Sequence, residues 1–239
     1  MPRHEMLNNI AHKDLRVITK FGARFGDNVG TVMTFPTEYG DIQREYPIFF
    51  RKEPGTEDFL SVAVFGFAKD ENLFLDANGW NARYLPAAIA RGPFLIGFHE
   101  DEPVIHIDLD HPRVSETEGE PLFLPLGGQS PYLQYMTWVL DTLHRGIAAS
   151  KQMFTMFTEL DLVAPLKLEI RLTADEHRNL HGFYTINEER LRSLDAPSLA
   201  RLHQAGFLES AYLVIASLTN FQKLVDRKAE RLRAAHSQD

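Results

Sequence analysis

The chain has 239 residues, 44% of them hydrophobic, a net charge of −8 and no cysteine. The length allows a sizeable core, and the missing cysteines exclude disulfides, thiolate metal sites and a cysteine nucleophile. The acidic balance argues against nucleic acid, since Arg227, Lys228, Arg231 and Arg233 alternate with Asp226 and Glu230 instead of forming a basic block.

Residues 1–20 carry His4, Glu5, His12, Lys13 and Asp14, without the apolar run of a signal peptide. No window reaches the length of a membrane span, so the expectation is a soluble, cytoplasmic protein. Residues 15–18 and 29–35, rich in Val and Thr, are predicted as the first strands. A short helix over 37–44 should stop before Pro47. Segments 48–51 and 60–67 flank Pro54-Gly55-Thr56-Glu57-Asp58, a strong turn signal that predicts a hairpin. A second hairpin is predicted from 94–98 and 104–109. In its later strand Ile105, Ile107 and Leu109 should face the core, opposite Val104, His106 and Asp108.

Residues 115–130 read as a loop. Ser130-Pro131 then supplies a helix N-cap and a first-turn proline, followed by Tyr132, Tyr135, Met136, Val139, Leu143 and Ile147 at helical spacing. Gly146 is expected to bend or end this helix, with a second helical pattern through Met153, Phe154, Phe157 and Leu160. Two strands, 166–172 and 180–186, should enclose a polar turn at 173–179. Asn187 and Asp195 are placed to cap two further helices, the second ending at Gly206. A last helix is predicted from about residue 208 into the tail. Its apolar stripe of Leu213, Ser217, Phe221, Leu224 and Val225 predicts a homodimer. The fold class is α+β: a mostly antiparallel β-rich region over 1–125, then a helical region over 126–239 with an intervening hairpin at 166–186, together one integrated domain.

Between residues 45 and 94 Gly, Pro and aromatic residues punctuate the chain densely, as Glu45-Tyr46-Pro47, Asn72-Leu73-Phe74, Gly79-Trp80, Tyr84-Leu85-Pro86 and Pro93-Phe94. Each Gly or Pro dictates a backbone conformation, and each aromatic needs a packed site. In this order, and continued by Glu118-Gly119-Glu120-Pro121-Leu122-Phe123, Thr155-Met156-Phe157, residues 182–188 and Gly206, these motifs resemble the SapC family of bacterial proteins. The resemblance covers nearly the whole chain. It implies an accessory role in nutrient uptake or in peptide or amino-acid modification, with halogenase-like or cupin-like enzymes as partners. It carries over no catalytic residue and no cofactor. At Arg91-Gly92-Pro93-Phe94 the chain departs from relatives, which tend to have a second Arg and a Tyr before Pro-Phe.

Two constellations carry chemistry. Trp80, Arg83, Tyr84, Arg91 and Phe94 combine aromatic faces with guanidinium forks, the groups that grip a carboxylate beside a ring. They predict a non-catalytic binding protein for a peptide or amino-acid-derived ligand. His106 and Asp108 share a strand face, half of a two-His-one-carboxylate iron site. His144, His177, His181 and His203 are the candidates for the missing ligand, and together these residues make the alternative reading, a metal-dependent enzyme. A surface-layer structural component is the third. Glu45, Glu118 and Glu120 could supply catalytic carboxylates, but beside Pro or Gly they read as turn residues. No phosphate-binding glycine loop and no serine-nucleophile motif is present.

Overall fold

The computed structural model describes residues 3–100, 102–171 and 177–236. In chain order come β1 (His4–Met6), β2 (Arg16–Val17), a single 3-10 turn (Ala23–Phe25), β3 (Thr31–Thr34), α1 (Tyr39–Ile42), β4 (Ile48–Lys52) and β5 (Phe59–Val64). The middle of the chain forms β6 (Leu75–Asp76), β7 (Gly79–Trp80), α2 (Ala87–Ala90), β8 (Phe94–His99), β9 (Glu102–Asp108), β10 (Val114–Ser115) and β11 (Glu120–Pro121). The rest is α3 (Pro131–Glu159), β12 (Val163–Arg171), β13 (His177–Ile186), α4 (Glu188–Arg192), α5 (Ala196–Gln204), α6 (Phe207–Ser217) and α7 (Thr219–His236). This is an α+β protein with antiparallel sheets.

Two compact units divide the chain, and neither is continuous in sequence. Unit one takes the residues up to Asn28, Leu75–Asn81 and Leu85–Arg145; unit two takes Val29–Phe74, Ala82–Tyr84 and the chain from Gly146 onward.

In unit one β9 is the central strand between β1 and β8. The expected alternation puts Ile107 inside, fully buried opposite Phe94, which is also fully buried. β1 escapes prediction because His4, Glu5 and Met6 are all exposed; only their register against 106–108 makes them a strand. A second small sheet places β2 between β10 and β11. The turn leading into β11 requires Gly119: its φ is +102°, and a Cβ would lie 2.3 Å from the Val17 carbonyl oxygen. The Oγ of Ser130 accepts from the Leu133 N–H and starts α3 as its sequence dictates.

Unit two is organised by the five-stranded sheet β12-β13-β4-β5-β3. The hairpin over Pro54-Gly55 is β4–β5. Because side chains alternate across a pleated strand, Phe50 and Phe49 leave β4 on opposite faces. Phe50 meets Phe154 and Phe157 of α3, with ring centroids 5.0 and 6.3 Å away. Phe49 meets Phe183 at 5.3 Å and Phe221 of α7 at 5.7 Å. Pro165 sits in β12, an edge strand, where its missing N–H costs no ladder bond. The hairpin strands begin earlier than expected, at Val163 and His177, and the predicted turn at 173–179 falls partly outside the described residues.

Two local expectations are corrected. Gly146 does not end the helix, and the two predicted helices are the single α3 of 29 residues. A Cβ at Gly146 would stand 2.6 Å from Phe35 Cβ, so the glycine admits a packed side chain against the helix. The predicted last helix is two, α6 and α7, meeting at Leu218. Part of the apolar stripe of the last helices packs within unit two, while Leu213 and Val225 are half-buried. Ser217 and Leu224 are fully buried, and Phe221 packs against Phe49 and Phe67. Ser217 Oγ accepts from the Ile48 N–H, and buried Asn220 donates to the Gln43 carbonyl at 2.7 Å. Ser217 and Asn220 are thus anchors for the chain around β4.

Asn187 and Asp195 cap α4 and α5 as expected, accepting from Arg190 N and Ser198 N. Asn187→Ala should cost about 1 kcal/mol, the usual worth of an N-cap. Urea unfolding should show a lower midpoint with an unchanged slope.

Candidate functional site

The motif pair Glu45-Tyr46 and Arg83-Tyr84 is one structural device within unit two. The Glu45 carboxylate accepts from the Arg83 N–H at 2.8 Å and the Tyr84 N–H at 3.0 Å, while the Tyr46 hydroxyl donates to the Tyr84 carbonyl at 2.6 Å. Tyr84 in turn donates its hydroxyl to Glu38 Oε2 at 2.8 Å, and Thr34 donates to Glu38 Oε1 at 2.8 Å. The buried Glu38 carboxylate is therefore held from both oxygens. Nearby Tyr39 shares a short hydroxyl hydrogen bond with Ser61, and burial pushes its phenol well above the usual range. Residues 83–84 are clamped by their backbone, and the Arg83 side chain is exposed.

The other three predicted binding residues belong to unit one. Trp80 is half-buried and meets Phe21 edge-on at 5.9 Å. Phe94 is a core residue, 0% exposed, against Tyr132. Arg91 donates from Nη1 to the Phe94 carbonyl at 2.9 Å, and burial pulls its guanidinium below the ordinary range. Arg91 and Phe94 are thus joined through a backbone acceptor.

Sequence reasoning missed a buried cation in unit one. Arg113, 4% exposed, donates from Nη2 to both oxygens of Asp27, at 2.8 and 2.7 Å. Its Nη1 donates to the carbonyls of Ile18 and Lys20. The guanidinium carbon lies 4.8 Å from the Phe21 ring centre and 4.7 Å from that of Phe25. Paired, hydrogen-bonded and flanked by two rings, it is a structural centre. Neighbouring His111 accepts from the Arg113 N–H, and burial first, then the Arg113 charge, lowers its affinity for a proton.

His106 and Asp108 do share a face of β9, but their surroundings are strand partners. The His106 ring covers Gly97, where a Cβ would come within 2.3 Å of it. Asp108 lies 3.9 Å from His4 and accepts from the Asp110 N–H. Among the described residues no three His, Asp or Glu side chains are placed to hold a metal ion, His144, His181 and His203 included. The side chain of His177 lies outside the described ones.

What unit one does offer is a cavity of about 270 Å³. Leu85, Ile89, Ala90 and Gly92 form one side, and Tyr132, Tyr135 and Met136 of α3 another. The predicted binding stretch thus contributes its later half, but through its small and aliphatic residues. Gly92, with φ +50°, leaves open the space a side chain would fill: a Cβ there meets only Arg113 Cδ at 3.6 Å and the Ala90 carbonyl at 3.9 Å. The Arg91-Gly92-Pro93-Phe94 motif therefore reaches the cavity wall through Gly92. Tyr135 stacks on Trp138 at 6.0 Å, and both are about half exposed at 48% and 54%. Burial raises the Tyr132 hydroxyl to about 12, so it stays a neutral hydrogen-bonding group. With Arg113 neutralised by Asp27, the cavity presents apolar and neutral surface.

A family model described as SapC matches residues 7–224. No curated protein and no solved structure matches the chain.

Proposed function

The chain belongs to the SapC family, and from that footing we propose that it is a non-catalytic accessory protein that binds a peptide or amino-acid-derived ligand through an apolar side chain. The cavity beside Gly92 is the observation that carries this reading. Its size is at the small end for ligand sites, which suits one side chain rather than a whole cofactor. Its walls are aliphatic and aromatic, with the hydroxyls of Tyr132 and Tyr135 as the polar groups that would orient an amide. The exposed Tyr135–Trp138 stack extends the apolar surface beyond the cavity lining, and such rings contribute contact area at low entropic cost.

Burying one aliphatic side chain is worth about 1.5–3 kcal/mol. N-acetyl-leucinamide should therefore bind at least about tenfold more tightly than N-acetylglycinamide in calorimetric titration. Ala90→Phe, which fills the cavity from α2, should abolish that preference while leaving thermal unfolding within a few degrees. Equal binding of the two amides, or an unchanged preference in Ala90→Phe, would sink the proposal.

A further inference from the structure

Unit two carries a second concavity of a different chemical kind. It measures about 590 Å³ and is lined by Arg51, Lys69, Phe67 and Phe183, with Gly30 and Gly66 at its backbone floor. We propose that this cleft is a binding site for an organic carboxylate that bears an aromatic or apolar group. The site is separate from the cavity beside Gly92 and does not depend on it.

Its charge is the first argument. The protein is acidic overall, yet the cleft lining contains two cations and no acid. Neither Arg51 nor Lys69 forms an ion pair among the described residues. Two carboxylates follow Lys69 in sequence, Asp70 and Glu71, and neither lines the cleft; Glu71 accepts from the Phe67 N–H at 2.8 Å and from Lys228 Nζ at 2.6 Å. Lys228 and Glu71 are both largely buried, so this pair is not available to neutralise the cleft. Two like charges in one concavity repel each other, and an anion between them relieves that repulsion.

The guanidinium geometry is the second. Arg51 projects from β4 on the same face as Phe49, and its guanidinium carbon stands 5.3 Å from the centre of the Phe183 ring. Such stacking holds the planar group by its face and leaves its N–H edge for a bidentate partner. A carboxylate matches that fork, while the Lys69 ammonium adds a point charge. The Phe183 and Phe67 rings, linked through Phe49 and Phe221 into one aromatic layer, supply a wall for the ligand's apolar part.

The floor is the third. A Cβ at Gly30 would lie 2.1 Å from the Ala68 carbonyl oxygen, and one at Gly66 would lie 2.2 Å from the Glu71 carbonyl oxygen. Backbone therefore crosses backbone at contact distance here, fixed by Gly30 N–H to the Lys69 carbonyl and by Phe65 and Gly66 N–H to the Gly30 carbonyl. The loop that bears Lys69 is thus tied directly to the start of β3, and the concavity is a built feature of the sheet end.

The test is titration of the full chain, in the Ala90→Phe background so that the other cavity stays blocked, with benzoate, benzamide and inorganic phosphate. Benzoate is expected to bind about tenfold or more tightly than benzamide, its uncharged isostere, and to weaken as salt is raised. Arg51→Gln and Lys69→Gln change exposed side chains and should leave the fold intact. The first should lose about tenfold in benzoate affinity, and the second less. Arg51→Lys should fail to restore binding, because it keeps the charge but loses the fork and the stacking. Benzamide binding as well as benzoate, or phosphate binding as well as benzoate, would overturn the proposal. So would benzoate affinity that survives Arg51→Gln.

Discussion

Arg113→Ala should lower the stability of the protein by about 3–5 kcal/mol, the usual consequence of removing one partner from a buried ion pair. The loss has a specific source. Asp27, 5% exposed, receives two hydrogen bonds from Arg113 and one from the Gly22 N–H at 2.7 Å, so without the guanidinium a buried carboxylate loses both of its charge-assisted hydrogen bonds from Arg113. The carbonyls of Ile18 and Lys20 lose their donor in the same step. Asp27→Ala should be comparably damaging, and the double variant should be less destabilised than the two single losses added together. Chemical denaturation of the four proteins checks this. Strict additivity would show that the pair acts as two independent packing residues and not as a coupled ion pair.

Phe94→Ala is the second large effect, about 3–5 kcal/mol for emptying a fully buried aromatic site. Phe94→Leu, which keeps most of the volume, should cost less than about 1.5 kcal/mol. Both figures follow from its complete burial and its contacts with Tyr132 and the β9 pairing at Ile107. The reading of Phe94 as a ligand wall predicts the opposite pattern, with unfolding unaffected and binding lost. Thermal or urea unfolding of the two variants separates these outcomes before any ligand is known.

The parts of this protein that could be read from its sequence are those whose cause is local. Ser130, Asn187 and Asp195 announce helix starts because each cap accepts from an N–H only three residues on. Pro54-Gly55 announces the β4–β5 hairpin because the turn residues set its backbone directly. What stayed hidden depends on distant partners. Asp27 and Arg113 are 86 positions apart, and nothing beside either residue marks the pairing. β1 is a strand only through its register against 106–108, and Gly146 belongs inside a helix only because Phe35 packs against it. The candidate site shows the same division. The density of Gly, Pro and aromatic residues over 45–94 points to a well-specified region, and residues 85–92 do line a cavity. Which of them face that cavity was not legible, because large aromatics such as Phe94 serve the core and small residues such as Gly92 leave the opening. The Arg51–Phe183 stack joins strands far apart in the chain, so the second cleft has no contiguous signal.

The interleaving of the two units also bears on how the chain is made. β8 and β9 are separated by two residues and can pair as soon as they leave the ribosome. The sheet of unit two cannot be completed in that way. Phe50 of β4 must wait for Tyr184 of β13, and Ile48 finds its Ser217 acceptor 169 positions later. Contacts of such separation fold slowly, because a long loop must close before they contribute. During synthesis the phenylalanine-rich strand β4 therefore has an unpaired edge on the side that β13 will occupy, and unpaired hydrophobic edges are prone to association with other chains. Through that delay, the order in which the segments of the two units leave the ribosome sets how long the β4 edge stays exposed to other chains.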